Sequence, residues 1–161
     1  MNILRIIAAA LAFVICASEG VRRSRALKER AEFLAEIQSL LERFSVGIRY
    51  SAKKTDELLD AENGRFAQLV KSFKEQTVNT RLAWEEACGA LPQYPDEASV
   101  LRELGASFGT MDTDNTLRLL ECCQTEISAL RTSAEAEYSK RGKAVFQVGA
   151  LCGIGAAILI I

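Results

Sequence analysis

The last eighteen residues of the chain, 144–161, carry no charge and one polar side chain, Gln147. As an α-helix this segment would be about 27 Å long, which is close to the thickness of the hydrocarbon layer of a membrane. Lys140, Arg141 and Lys143 come directly before it, where long cationic side chains can reach lipid headgroups. The segment therefore predicts a C-terminal transmembrane helix over residues 144–161.

The N-terminal end is also apolar, and it predicts a membrane anchor over residues 1–20. Residues 3–17 contain one charged side chain, Arg5. A cleaved secretory signal peptide is the alternative, because the apolar run is short and small residues follow it. Signal peptides carry their basic residues before the apolar run, which favours an uncleaved anchor here. Five basic residues follow the run: Arg22, Arg23, Arg25, Lys28 and Arg30.

The distribution of basic residues predicts on which side of the membrane the middle of the chain lies. The flanks that face the middle carry eight Lys and Arg side chains, whereas the outer flanks carry Arg5 alone. Basic flanks stay on the cytoplasmic side, so we expect residues 21–143 to form a soluble cytoplasmic domain. The same flanks are attracted to an anionic leaflet, although they also serve as ordinary stop-transfer signals. The inverted topology, with the domain between two membranes, stays open.

The body of the chain is acidic. Residues 31–139 hold 11 basic and 19 acidic side chains, a net charge of −8, although the whole chain has a net charge of −1. Nucleic acid is therefore not an expected ligand, because its phosphates would meet a repelling surface.

Apolar residues in the body recur at steps of three and four, which is the spacing of an amphipathic helix. The first such segment runs from Leu27 to Ile48, and we expect Gly47 and the polar stretch after it to end this helix. A segment that starts at Arg65 predicts one or two helices on a common core. Trp84, the only tryptophan, is the expected core anchor of this segment, and contact with a partner is the alternative role.

The second half of the body shows clear helix boundaries. Two prolines in residues 92–95 mark a loop, and Asp96 or a neighbour is the expected N-cap of the helix that follows. Gly109 is placed to end that helix in the left-handed conformation. Asp112 is the expected N-cap of the last helix, with its carboxylate accepting backbone N–H groups, and Gly142 is the next helix breaker. The sequence predicts an all-α fold, an antiparallel helical bundle with N-terminal and C-terminal transmembrane helices.

The composition argues against catalysis. The chain has no histidine, which removes the commonest general base and the commonest metal ligand. The neighbouring acids Glu85 and Glu86, and Asp112 and Asp114, do not face each other in a helix. They are interpreted as surface acids and helix caps, so we expect no enzyme activity, catalytic residue, cofactor, metal or small-molecule substrate. Five cysteines without CxxC spacing are interpreted as reduced packing residues: Cys16, Cys88, Cys122, Cys123 and Cys152.

The C-terminal segment contains a helix-packing motif. Gly149 and Gly153 form GxxxG, a sequence that lets two membrane helices approach closely. Ala8 and Ala12 have the same spacing in the N-terminal segment. Two interpretations follow, packing of the two spans within one molecule and self-association into a homo-oligomer.

The chain resembles the stage III sporulation protein AB family of endospore-forming bacteria over nearly its whole length. The resemblance includes the element AWEEA, which contains Trp84, and the stretch LRELGASFGTMD. The second stretch matches a family pattern at four positions: Leu104, Gly105, Gly109 and Asp112. The family usually has a glutamine four residues after the aspartate, whereas this chain has Thr116.

This resemblance implies a component of the channel that joins the mother cell to the forespore, located on the mother-cell side in the outer forespore membrane. Family members are similar to the helical cytoplasmic domains of inner-membrane platform proteins in type II secretion and type IV pilus machines. The implied partners are other channel proteins and a secretion-type ATPase, stage III sporulation protein AA. The alternative function is a self-associating membrane scaffold or sensor.

Overall fold

In the computed structural model of the chain, the backbone is described for residues 2–51, 55–77, 79–142, 147 and 151, and side chains for 14–15, 18–50, 55–77, 79–140, 147 and 151. The described backbone is helical and contains no β-strand, so the predicted all-α fold is confirmed. The helices are α1 (Asn2–Ser51), α2 (Thr55–Ala61), α3 (Arg65–Lys74), α4 (Thr80–Gly89), α5 (Pro95–Ser107) and α6 (Thr113–Glu137), and α6 is followed by a π-helical turn, Tyr138–Gly142.

The chain divides into two compact units, and the larger one is Glu32–Thr132. This unit holds a hydrophobic core made of the apolar faces that the three-and-four spacing predicts. Its largest fully buried apolar side chains are Leu34, Ile37, Leu41, Phe44, Leu59, Val70, Trp84, Leu101, Leu104, Leu120 and Ile127.

Two contacts define the direction of α6 relative to α1 within the Glu32–Thr132 unit. Near the start of the unit, the Arg131 guanidinium donates to the Gln38 side-chain oxygen at 3.1 Å. Further along α1, the Arg49 guanidinium donates to the Glu121 carboxylate at 2.8 Å. Because residue numbers rise along α1 while those of the contacting residues fall along α6, the two helices run antiparallel here.

The first helix ends at Ser51, within the polar stretch predicted to end it, but Gly47 itself lies inside the helix. Gly47 is buried in the helix. A Cβ atom at this position would stand 2.3 Å from Leu58 Cδ2, closer than two carbon atoms can approach. A glycine inside a helix costs about 1 kcal/mol relative to alanine, and here it provides the space in which α2 packs against α1.

Two arginine–carboxylate pairs hold the α2–α3 segment against α1. Arg43 Nε and Nη2 donate to the two carboxylate oxygens of Glu62 at 2.5 and 2.6 Å. Arg65 Nε donates to the Glu36 carboxylate at 3.0 Å. The Glu62 side chain is only 8% exposed, whereas that of Arg43 is 54% exposed. The Arg43 pair therefore compensates a largely buried carboxylate.

α4 packs against both α3 and α5. α5 begins with Pro95 at its first turn, and its N-cap residue is Tyr94, which makes no side-chain capping hydrogen bond. Asp96 is therefore not the N-cap but lies inside the first turn, where its negative charge is favourable to the helix dipole. The Tyr94 ring stacks on Phe33 of α1 at a centroid distance of 4.8 Å, which fixes the entry to α5.

The second unit comprises Met1–Ala31 and Ser133–Ile161. Its described backbone includes residues 2–31, and the side chains of Val14 and Ile15 are 60% and 65% exposed. None of the helices in the described ranges combines the length and the apolar character that crossing a bilayer requires. The predicted span 144–161 lies outside the described residues, apart from positions 147 and 151.

Candidate functional site around Trp84 and the turn after α5

Trp84 is fully buried at the centre of an aromatic cluster. The rings of Phe66 and Phe108 meet the indole edge-on at centroid distances of 4.9 and 5.0 Å, and Phe44 lies 6.1 Å away. The indole Nε1–H donates to the Leu101 carbonyl oxygen at 2.6 Å, so the one polar atom of the ring is satisfied inside the core. The environment of Trp84 is that of a core anchor.

Gly105 of the LG pair lies directly beside this indole. A Cβ atom on Gly105 would stand 2.3 Å from Cδ1 of Trp84 and 2.9 Å from its Nε1. Leu104, the other member of the pair, is fully buried. The pair therefore provides a leucine for the core and a gap for the tryptophan ring.

Gly109 lies two residues after the end of α5 and has a φ of +74°, the left-handed conformation that the sequence predicts. No atom lies within 4 Å of the position that its Cβ would occupy. The requirement for glycine here therefore comes from the backbone conformation.

Asp112 is the residue before α6, and its carbonyl oxygen accepts the Thr116 N–H at 3.0 Å, as an N-cap carbonyl does. Its carboxylate differs from the expectation, because Oδ1 accepts from the side-chain amide of Asn115 at 2.6 Å. The Thr116 hydroxyl donates to the Asp112 carbonyl oxygen at 2.9 Å. At the position where the family pattern has glutamine, threonine thus makes a local bond within the first turn of α6.

An open cavity of about 640 Å³ lies beside this turn. Its apolar lining comes from Ile48, Phe108 and Met111, and threonines from three helices add hydroxyl groups. Asp56 is the one carboxylate of the described lining, and it accepts a hydrogen bond from Thr80. The described lining of the cavity thus combines apolar, hydroxyl and charged side chains.

A second cavity, of about 310 Å³, lies between α4 and α5, and we refer to it as the α4–α5 groove. Charged side chains on its walls come from both helices, and the remaining lining residues are Trp84 and two small residues. The lining consists of Arg81, Trp84, Glu85, Arg102, Gly105 and Ala106. Arg81 and Arg102 do not stand out in the sequence, because the register of α4 against α5 is not visible in either helix alone.

The other predicted acids lie on the surface. Glu86, Asp112 and Asp114 are exposed, as is Glu85 at the α4–α5 groove. In the part of the chain that the structure describes, no three cysteine or carboxylate residues come close enough to bind a metal ion together.

The cysteines differ from one another in exposure. Cys88 and Cys123 are buried, and burial raises the pKa of each thiol from 9.0 to about 12. Cys122 is exposed, so the interpretation of all five cysteines as packing residues is wrong for this one. The side chains of Cys16 and Cys152 lie outside the described ones.

The basic flanks are partly described. Arg22 and Arg23 both pair with Glu19, at 3.6 and 3.0 Å, and the positions of the basic residues alone do not predict these pairs. The other flanking residues with described side chains are Arg25, Lys28 and Lys140, which are exposed, and Arg30, which is half-buried. The side chains of Arg141 and Lys143, and the residues Gly149 and Gly153, lie outside the part of the chain that the structure describes.

The comparison with protein families accounts for almost the whole chain. The family model for stage III sporulation protein AB matches residues 5–161. No curated protein matches the chain, and no solved structure does. The matched range includes Trp84, Gly105, Gly109 and Asp112, whose positions around one core and one turn are described above. The chain belongs to the stage III sporulation protein AB family.

Proposed function

We propose that this chain is a non-enzymatic, membrane-anchored platform component of the channel between the mother cell and the forespore. In this role a cytoplasmic helical domain, residues 21–143, docks a secretion-type ATPase and other channel subunits. Residues 1–20 and 144–161 anchor that domain in the membrane. Family membership supports a role in sporulation stage III, and the other elements are our proposal.

The main support for the proposal is that the motif residues have structural roles within the fold. Trp84 and Gly105 pack against each other, Gly109 makes the turn, and Asp112 precedes α6 with its carboxylate bonded to Asn115. Each of these residues has a structural role, so none of them needs a chemical one. Because these motif residues serve packing and turn formation, the surface of the domain is free to contact other proteins.

Two further observations support membrane attachment. Val14 and Ile15 of α1 are 60% and 65% exposed, and large adjacent apolar side chains are unfavourable in water. The uncharged segment 144–161 has the length of a membrane span. Contact of both regions with lipid would remove this apolar surface from water.

The proposal is tested by co-purification. The full-length chain, tagged and expressed at its normal level, is crosslinked in sporulating cells and recovered from solubilised membranes. We expect the stage III sporulation protein AA ATPase or other channel subunits in the recovered material. An unrelated membrane protein with the same tag is the control, and recovery of no channel subunit above that control would contradict the proposal.

Self-association is a second candidate function, and the GxxxG sequence of Gly149 and Gly153 supports it. Replacing both glycines with isoleucine should reduce oligomers of the full-length chain in lipid. Oligomers of unchanged size and amount would argue against these residues as the contact.

A further inference from the structure

We infer that the α4–α5 groove is the docking site for the protein partner, and that an acidic side chain of that partner binds between Arg81 and Arg102. The inference rests on the proposed docking function. It adds the surface that is used and the charge of the segment that occupies it.

Arg81 and Arg102 have no carboxylate partner among the described residues, a state that they share with Arg118, but these two lie together at one groove. Elsewhere in the Glu32–Thr132 unit, Arg43, Arg49 and Arg65 each pair with a carboxylate, at 2.5, 2.8 and 3.0 Å. Arg81 and Arg102 are exposed and line one groove. In the described part of the chain, no ion pair joins either of them to a carboxylate.

Two such guanidinium groups indicate a carboxylate as the ligand. The planar guanidinium matches a carboxylate through paired hydrogen bonds, which makes arginine the preferred residue for such contacts at interfaces. The unit as a whole is acidic, so a local pair of cations also gives an acidic segment a specific place to bind.

Glu85 helps to distinguish between a phosphate group and a carboxylate as the ligand. It lines the same groove as the two arginines, so the lining carries two positive charges and one negative charge. A phosphate group carries more negative charge than a carboxylate, so Glu85 would repel it more strongly. A protein segment can place a carboxylate at the arginines and an N–H donor at Glu85, and this complementarity favours a protein partner.

The shape of the groove also suits a protein segment. Ala106 is exposed and has a small side chain, so a partner side chain can approach α5 closely at this position. The volume of about 310 Å³ is at the lower end of ligand cavities, which fits one or two side chains.

The test uses charge reversal in the full-length chain. Arg81→Glu, Arg102→Glu and the double variant are compared with the wild type in the crosslinking and co-purification experiment. Arg118→Glu is the matched control, because Arg118 is an exposed arginine on α6 away from the groove. We expect the double variant to recover at least about tenfold less ATPase, because like charges in an interface disfavour binding. Arg118→Glu should recover as much as the wild type.

Folding is monitored independently. Both arginines are exposed, so the far-UV circular dichroism and the emission of Trp84 should be those of the wild type. A photo-crosslinking amino acid at Ala106 in an otherwise unchanged chain provides a second measurement that does not depend on charge reversal. It should crosslink to the ATPase, whereas the same amino acid at Ala129, which is exposed on α6, should not.

The outcomes separate the two proposals. If the wild type recovers neither the ATPase nor another channel subunit, the proposed docking function is wrong. The assignment of the α4–α5 groove as the docking site is then wrong as well. If the wild type recovers the ATPase and the folded double variant recovers it equally well, the groove is not the docking site and the docking function stands. Should the double variant be unfolded, crosslinking from Ala106 decides, and its absence alongside crosslinking from Ala129 would overturn the inference.

Discussion

The backbone of Gly105 lies against the indole ring of Trp84, with no room for a methyl group between them. A Cβ on Gly105 would stand 2.3 Å from Cδ1 of the ring. The two residues belong to different helices, α4 and α5, and to different elements of the family resemblance, AWEEA and LRELGASFGTMD. Their contact joins these two elements in one core.

Gly105→Ala should destabilise the chain by about 1–3 kcal/mol, because a buried methyl group without space forces the core to shift. The measurement is chemical unfolding of the full-length chain in detergent, followed by Trp84 fluorescence. Gly89→Ala is the control, since nothing lies within 4 Å of its Cβ position. That variant should be neutral or more stable by up to about 1 kcal/mol. Equal costs at both positions would contradict the close contact.

Gly109→Ala should cost roughly 1–2 kcal/mol, because an L-residue is strained at the φ of +74° that Gly109 has. The surrounding space is open, so the whole cost should come from the backbone. Gly109→Asn should be milder, since asparagine tolerates the left-handed conformation better than other L-residues. Thermal unfolding followed by circular dichroism checks both variants. An alanine variant as stable as the wild type would mean that φ is not positive in solution.

The features that the sequence predicted correctly are those with a local physical cause. Helical spacing predicts the all-α class, and Gly109 follows an apolar helical segment at the distance where a left-handed residue ends a helix. Gly47 was expected to help end α1, but a glycine can also leave space for the side chain of a neighbouring helix. Its role depends on Leu58 of α2, and a single helix pattern does not contain that information.

Arg43→Ala should destabilise the chain by about 1–3 kcal/mol, because it leaves the Glu62 carboxylate buried without its charged donor. Arg49→Ala is the matched control, since Arg49 pairs with Glu121 where both side chains are about half exposed. An exposed pair of this kind contributes less than about 1 kcal/mol. Urea unfolding of the two variants compares them directly. A larger loss from Arg49→Ala would contradict the assigned burial of Glu62.

The cysteines should differ in reactivity and in their effect on pH dependence. At pH 8 a thiol reagent should label Cys122 rapidly and leave Cys88 and Cys123 unmodified, as read by mass spectrometry of the folded chain. Both buried thiols have a pKa raised by burial from 9.0 to about 12, so the unfolded chain loses these protons first as pH rises. The free energy of unfolding should therefore fall as pH rises above 9.

A variant with Cys88→Ala and Cys123→Ala provides the control for the pH dependence. Lysines and tyrosines also titrate in this range, and the double variant retains them. Its free energy of unfolding should fall less steeply above pH 9 than that of the wild type. Equal slopes, or rapid labelling of Cys88 in the folded chain, would contradict the burial of these thiols.

The candidate site was less predictable than the fold, because it depends on contacts between helices. Trp84 was predicted as a core anchor from its position among apolar residues, but its contact with Gly105 requires the packing of α4 on α5. Arg81 and Arg102 are ordinary surface residues in their own helices, and only the register between the helices brings them to one groove. Residue spacing also does not determine whether the Asp112 carboxylate accepts a hydrogen bond from the backbone or from a side chain. In the structure it accepts one from the Asn115 side chain.

A double-mutant cycle between Trp84 and Gly105 tests most directly the claim that the family motif serves the fold. The free energy of unfolding is measured by circular dichroism for the wild type, Gly105→Ala, Trp84→Leu and the double variant. We predict that Gly105→Ala costs at least about 1 kcal/mol less when Trp84 is leucine, because residues in contact couple by about 0.5–3 kcal/mol. The same cost in both backgrounds would contradict it.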